Sequence, residues 1–352
     1  MNKNKIIQYA IIGCGNVAPS HAEGVVTCKD AELFAVCDII EEKARDFAAR
    51  FGVKKYFTDY REMLKSPEID IVSICTPSGL HGDMVIDCAK ADKHVLCEKP
   101  IEITRDKIDQ MIRACQQEGV KLGAIFQNRT YSGTRAAKKM LEENSLGRIL
   151  IADGYSKEYR SPQYYKSADW RGTWALDGGG CLMNQGVHCV DILCWLAGDV
   201  ESITARTFTL ARDIEVEDSA FALVQFKNGA FGVIEGSTIS DPGLDDHVEI
   251  QCERGRIIYD SGSTTLYTTD PYGKMVETPL DTERVEESNT ANDPLAFTPK
   301  AHKFLVWDMV QAVLENRNPY ITGEMARHAV DVILGIYQSS ATGATVKIQP
   351  DR

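Results

Sequence analysis

The chain of 352 residues combines 43% hydrophobic with 26% charged side chains, an ordinary globular composition that excludes a disordered polymer and suggests two domains at roughly 150 residues each. Its 51 acidic residues outnumber 39 basic ones, and no run of Lys and Arg reverses the formal charge of −12, so nucleic acid is not an expected partner. No stretch approaches the roughly 20 apolar residues of a membrane span, and Met1–Gly15 lacks the pattern of a signal peptide.

The first 126 residues alternate strand and helix patterns. Apolar runs at Ile6–Ile12, Leu33–Asp38, Ile69–Thr76, His94–Glu98 and Val120–Phe126 read as strands. Between them, helices are predicted at Asn16 to about Val26, Glu41–Phe51, Gly82–Ala91 and Thr104–Glu118. Strands that are apolar throughout and separated by helices imply a parallel sheet covered on both faces, with right-handed crossovers. After Gln127 the pattern changes. A helix fits Ser132–Asn144, and strands fit Ile149–Lys157, Val200–Leu210, Ser219–Phe226, Ala230–Ser240, Val248–Glu253 and Arg256–Asp260. Asn228-Gly229 is a hairpin signal, so this second sheet is antiparallel or mixed. A polar loop is predicted at Thr278–Thr298, and closing helices at His302–Glu315 and Glu324–Ser340. The fold class is therefore α/β: a dinucleotide-binding domain at 1–126 and a second α/β domain at 127–352, whose closing helices can pack back on the first.

Eleven cysteines without regular spacing read as small buried hydrophobes of a reducing, cytoplasmic protein. There is no H-E-x-x-H and no zinc-finger pairing of His with Cys, so a bound metal is not expected.

Gly13-Cys14-Gly15-Asn16-Val17-Ala18 is G-x-G-x-x-A between a strand and a helix. Gly13 permits the tight turn, Gly15 lets a pyrophosphate approach the backbone, and Asn16 and Val17 present the helix N-terminus to it. Asp38 ends the second strand 20 residues after Ala18. A carboxylate there accepts hydrogen bonds from both ribose hydroxyls and repels a 2′-phosphate. Ile39 follows and no arginine is near, so NAD is favoured over NADP. Thr76, Pro77 and His81 lie at the third strand's carboxyl end, where ligands of open parallel sheets bind, and join the candidate cofactor contacts. Glu98, Lys99 and Gln127 end later strands and join them too. Pro100 restricts Lys99 to an extended or turn conformation, and an amine in a desolvated crevice can polarise a developing alkoxide or carbonyl.

Downstream, Gly178–Asp191 leads into an apolar helix. Asn184 and His188 are four residues apart and share a helical face, and Asp191, three beyond, is a candidate to hold the His188 imidazole as an oriented general base. Tyr155, Arg160 and Tyr164 suit a sugar's apolar face and hydroxyls, and Trp170 and Arg171 suit a cofactor, although Arg171 could equally bind a substrate carboxylate. Trp174 and Trp195 are expected in the core.

Gly13–Ala18, Thr76–His81, Glu98-Lys99-Pro100 and Gly178–Asp191 together resemble the glucose–fructose oxidoreductase, inositol dehydrogenase and rhizopine-catabolism (Gfo/Idh/MocA) family of NAD(P)-dependent oxidoreductases, essentially end to end. The resemblance implies a Rossmann domain, a second α/β domain whose open sheet joins subunits into a homodimer or homotetramer, and catalysis by Lys99 and His188. Many members carry Asp where this chain has Asn184, and Asn184-Gln185 resembles the branch containing dehydrogenases of UDP-N-acetylglucosaminuronic acid. The expected reaction is NAD-dependent hydride transfer at a carbinol carbon of a small polyhydroxylated substrate: a sugar, a sugar acid, nucleotide-linked or not, or a cyclitol. Asn184 would orient the ring, and Lys99 and His188 could exchange acid and base duties. Two other readings stay open, a hydrolase that recycles its hydride internally and an NAD-sensing regulator without turnover.

Overall fold

The computed structural model describes residues 5–260, 262–282, 291–292 and 300–348. The first unit is built from β1 (Ile7–Ile12), α1 (Ala18–Thr27), β2 (Ala31–Cys37), α2 (Glu41–Phe51), β3 (Lys55–Phe57), α3 (Tyr60–Leu64), β4 (Ile71–Ile74), α4 (His81–Lys90), β5 (His94–Cys97), α5 (Arg105–Glu118) and β6 (Leu122–Ala124). Its six strands pair in parallel in the order β3-β2-β1-β4-β5-β6. That is the doubly wound order, which reverses direction between β1 and β4 and opens a crevice at their carboxyl ends. The central strands are apolar because helices cover both faces. Ile7, Tyr9 and Ile11 are fully buried on β1, each contributing roughly 1.5–3 kcal/mol by leaving water.

β3 and α3 are additions to the sequence reading. Three residues are too few to show a period, and α3 is a short turn capped by Asp59, which accepts from the Arg61 N–H at 2.9 Å.

The second unit begins at residue 128 with α6 (Ser132–Glu142), β7 (Ile149–Lys157), α7 (Pro162–Lys166) and α8 (Val187–Ala197). It continues with β8 (Val200–Phe208), β9 (Ser219–Phe226), β10 (Phe231–Ser237), β11 (His247–Cys252), β12 (Gly255–Asp260), β13 (Ser263–Thr269) and β14 (Met275–Pro279). The nine-stranded sheet runs β14-β13-β12-β11-β7-β10-β9-β8-β15, where β15 is Val346–Lys347, after α9 (Lys300–Leu314) and α10 (Gly323–Thr342). Among the described residues only β7 and β10 of this sheet pair in parallel, so the sheet is mixed. Most of the loop predicted at 278–298 lies outside the described residues. α8 covers one face of this sheet, with a Cβ at Gly154 meeting Cys189 Sγ and Leu193 at 3.2 Å. Among the described residues no helix is long and apolar enough to cross a membrane.

The two units are not the simple halves 1–126 and 127–352. The chain from α9 through Arg327 groups with the first unit. Packing of α9 on α1 explains this. At Gly24 of α1 the helices come so close that a Cβ would lie 2.9 Å from Val306 Cβ. We expect Gly24→Val to cost about 1–3 kcal/mol through overpacking, read as a lowered midpoint in urea unfolding. An unchanged midpoint would contradict this contact.

Candidate active site

In the first unit, the turn after β1 is shaped for a dinucleotide. Gly13 has φ +91°, and a Cβ there would lie 2.5 Å from the Cys75 carbonyl oxygen at the end of β4. At Gly15 a Cβ would meet nothing within 4 Å, so the mouth of the turn is open. Val17, the residue before α1, makes no side-chain cap, which leaves the helix's first N–H groups for an anion. Asp38 is locked beside this mouth, its Oδ2 accepting from Cys14 N–H and its Oδ1 from Ile40 N–H, both at 2.9 Å. Each oxygen keeps a second lone pair, which suits two ribose hydroxyls. Ile39, beside it, is 87% exposed. These residues fit NAD.

Thr76 and Pro77 are partly exposed at the end of β4. His81 differs from expectation. It is buried, with Nδ1 2.9 Å from the Pro100 carbonyl oxygen and Nε2 2.9 Å from that of Thr76. It braces two strand-end loops and does not face solvent. Glu98 is also buried, among His21 and His302. From Val95 to Ile103 every residue is buried except Lys99, so this segment offers a single side chain to the outside. The Lys99–Pro100 peptide is cis. Gln127 opens a 3-10 turn, Gln127–Thr130, at the end of this unit's first segment.

In the second unit, Cys181–Gly186 is a π-helical turn that runs into α8. Such wide turns occur often at functional sites. It is anchored by the buried Glu217, whose oxygens accept from Gly180 N–H (2.8 Å), Leu182 N–H (3.1 Å) and Tyr337 O–H (2.8 Å). Burial pushes this carboxyl up, and those donors pull it back only in part. The approach is so close at Gly180 that a Cβ would sit 1.7 Å from the Glu217 carbonyl oxygen. From Cys181 to Cys194 every residue is buried except Asn184 and His188.

Asn184 does not stand alone. Its amide donates to Asp177, a buried carboxylate whose other oxygen accepts from Gly172 N–H at 2.8 Å. The Gln185 amide donates to the Asn184 oxygen (3.2 Å) and to the Tyr164 hydroxyl (3.0 Å). Burial raises the Tyr164 phenol above its ordinary value, so it remains a neutral donor. The Arg171 guanidinium lies over the rings of Tyr164 (4.1 Å) and Trp170 (4.6 Å) and makes no ion pair among the described residues. Asn184, Tyr164, Trp170 and Arg171 thus come together with Gln185, and with Asp177, which the sequence reading did not single out.

Four further expectations need correction. Asp191 does not hold His188. Both its oxygens are taken by Arg129, at 2.8 and 2.5 Å, in a buried pair. Tyr155 lies on the sheet face opposite α8, its ring near His247 and Lys157, and so stands apart from the Asn184 cluster. Arg160 is buried and its guanidinium is engaged by Glu158 and the carbonyls of Tyr159 and Ala291, so it serves the loop structure. Trp174 is also not core. It is 47% exposed, with its indole N–H on the Glu215 carbonyl.

Comparison with known proteins agrees with this geometry. Residues 7–126 match the model of an oxidoreductase family with an NAD-binding Rossmann fold, and residues 134–258 match the GFO/IDH/MocA C-terminal domain. Myo-inositol 2-dehydrogenase of Thermotoga maritima is 30% identical over 274 residues, covering 76% of this chain and 79% of that protein. D-glucoside 3-dehydrogenase of Escherichia coli is 29% identical over 251 residues, covering 66% and 70%. The crystal structure of the WlbA dehydrogenase from Bordetella pertussis, in complex with NADH and UDP-GlcNAcA, superposes with a TM-score of 0.85 at 28% identity over 100% of both chains. With an open dinucleotide turn in one unit and a matching C-terminal domain in the other, the chain belongs to the GFO/IDH/MocA family of NAD-binding oxidoreductases.

Proposed function

We propose that the protein is an NAD-dependent dehydrogenase that oxidises or reduces a carbinol carbon of a polyhydroxylated ring: a sugar, a sugar acid or a cyclitol. The observation that carries this reading is selective exposure. Lys99 is the one residue in Val95–Ile103 that is not fully buried, and Asn184 and His188 are the two in Cys181–Cys194. Burying the neighbours while leaving residues that bear an amine, an amide and an imidazole partly exposed is the pattern of residues kept for a ligand.

When bound, NAD supplies the hydride acceptor or donor at its nicotinamide ring. The chain's own residues do the rest. The first unit holds the pyrophosphate at the Gly13–Ala18 turn and the ribose at Asp38. The Lys99 ammonium donates to the substrate oxygen and stabilises negative charge on it. The His188 imidazole takes the hydroxyl proton in the oxidation direction. Asn184, with its amide held by Asp177 and Gln185, orients a ring hydroxyl. The Arg171 cation, stacked on two aromatic rings, is suited to a carboxylate or phosphate.

The outer face of the nine-stranded sheet carries Ile151, Phe208, Phe221, Leu223 and Phe231, each 44–54% exposed. We read this apolar face as the homo-oligomer contact, since monomers rarely leave such patches open. All eleven cysteines are free, which suits a reducing cytoplasm.

Assays of sugars, inositols and nucleotide sugars with NAD should show steady NADH formation with at least one. Hydrolysis of a glycoside without net NADH would favour the hydride-recycling hydrolase, and silence across the panel the regulator. Lys99→Ala and His188→Ala should each lower kcat by about 10²-fold or more, with NAD affinity by calorimetry little changed. Equal losses of both would refute these roles. Asp38→Ser should erode the preference for NAD over NADP, measured as the ratio of kcat/KM values; a constant ratio counts against the ribose contact. Leu223→Glu should shift the protein to a smaller species in analytical ultracentrifugation, and a wild-type monomer would contradict the interface.

A further inference from the structure

A run of buried polar groups lies behind Lys99 and takes no part in the chemistry above. The hydroxyls of Tyr9 on β1 and Ser73 on β4 are 2.8 Å apart. Ser73 Oγ is 2.8 Å from His21 Nδ1, and His21 Nε2 is 2.8 Å from Glu98 Oε1. His302 on α9 brings its Nε2 to 3.3 Å from the same Glu98 oxygen. The other oxygen, Oε2, accepts from the Lys99 backbone N–H at 3.1 Å. All of Tyr9, Ser73, His21, Glu98 and His302 are at most 5% exposed.

The protons of this run can be assigned. A carboxylate only accepts, so His21 carries its hydrogen on Nε2. Burial lowers the basicity of His21 against the pull of Glu98, so the ring is neutral and its Nδ1 accepts from Ser73. The Ser73 oxygen then accepts from Tyr9, whose phenol burial keeps protonated. Every bond points the same way, from Tyr9 to Glu98. Burial by itself would push the Glu98 carboxyl up, but the hydrogen bonds from His21 and His302 outweigh it and hold the group well below the usual carboxylate range. Glu98 is therefore a buried anion held by donors on α1 and α9.

We propose that His21 and His302 are positioning residues for Lys99: by clamping the Glu98 carboxylate they fix the Lys99 N–H, and with it the line along which the amine leaves the end of β5. This rests on the reading of Lys99 as the amine at the substrate oxygen. A carboxylate stripped of its donors would take up a proton or turn away, and a shift of about 1 Å in a reacting group can cost on the order of 10²-fold in rate. The ligand atoms of His21, Glu98 and His302 also lie within 4.8 Å of one another, close enough for a divalent cation. The 2.8 Å contact between His21 and Glu98 is a hydrogen bond in length, and the proton assignment above needs no ion.

The test uses the full-length protein. NMR of isotope-labelled histidine, with His21→Asn and His302→Asn assigning the signals, should show His21 as the neutral Nε2–H tautomer at neutral pH, unchanged by EDTA. An imidazolium signal, or one that moves with EDTA, overturns the proposal. In kinetics, Glu98→Gln and His302→Ala should lower kcat by about 10–100-fold while NAD affinity holds. His302→Gln, which keeps an N–H at similar reach, should recover most of that loss. In a Lys99→Ala background Glu98→Gln should cost almost nothing more, because it acts through Lys99. Additive losses, or full turnover in the Glu98 and His302 variants beside an inactive Lys99→Ala, overturn the positioning role and leave the Lys99 reading standing. Undiminished turnover in Lys99→Ala removes that reading itself. Where His302→Ala does not fold, the Gln variant and the tautomer still decide.

Discussion

A parallel sheet covered on both faces spends its backbone hydrogen bonds in the ladder and its side chains in two cores. What remains for chemistry is the row of carboxyl ends. This constraint organises the first unit. Gly13 and Asp38 follow directly on β1 and β2, and Thr76 and Lys99 lie one residue further on past β4 and β5, the four strands being neighbours. Each is held in place by backbone or carboxylate contacts made within the same row. The Asp38 carboxylate caps the glycine turn, His81 ties the Thr76 loop to Pro100, and Glu98 receives the Lys99 N–H. Rigid strand ends presenting a few side chains are a general way to fix reacting groups without long loops.

The second unit solves the same problem by a different means. Its sheet is mixed and leaves apolar side chains exposed on one face, so the candidate site lies at a helix entry and not on strand ends. A buried acid, Glu217, satisfies the N–H groups at the start of the π turn, and the glycines beside it allow the backbone to come close. Further along α8, the Arg129–Asp191 pair lies under the Trp195 ring, with Arg129 5.6 Å from its centroid. Such a pair contributes little net stability unless both members stay, but it fixes the helix that carries His188.

Much of this was legible in the sequence, for identifiable reasons. Asp38 stood out by its place at a strand end 20 residues after the glycine turn, and Lys99 by the Pro100 that follows it together with the family resemblance. The spacing of Asn184 and His188 also survives, although the first lies in a π turn and not in a regular α-helix. What could not be read depends on distant partners. Asp191 had the right offset for His188, yet Arg129, 62 residues earlier, took both its oxygens. Tyr155 failed on parity: alternate residues of β7 face opposite ways, and sequence does not say which face α8 covers. Asp177, Glu217, His21 and His302 carry no local mark. Their roles come from partners on other elements or from the geometry of a loop, and the grouping of α9 with the first unit comes from its packing on α1 and β5, distant in sequence.

The bond between Asp177 and the Asn184 amide has a consequence for how this site can drift. An acid at position 184 would set two carboxylates against each other beside the buried Asp177, where one must stay protonated. The amide donates to Asp177, where a second carboxylate could only repel it. Exchange between the two side-chain types at 184 is therefore tied to what stands seven residues earlier, and lineages that make one change should be found to have made the other.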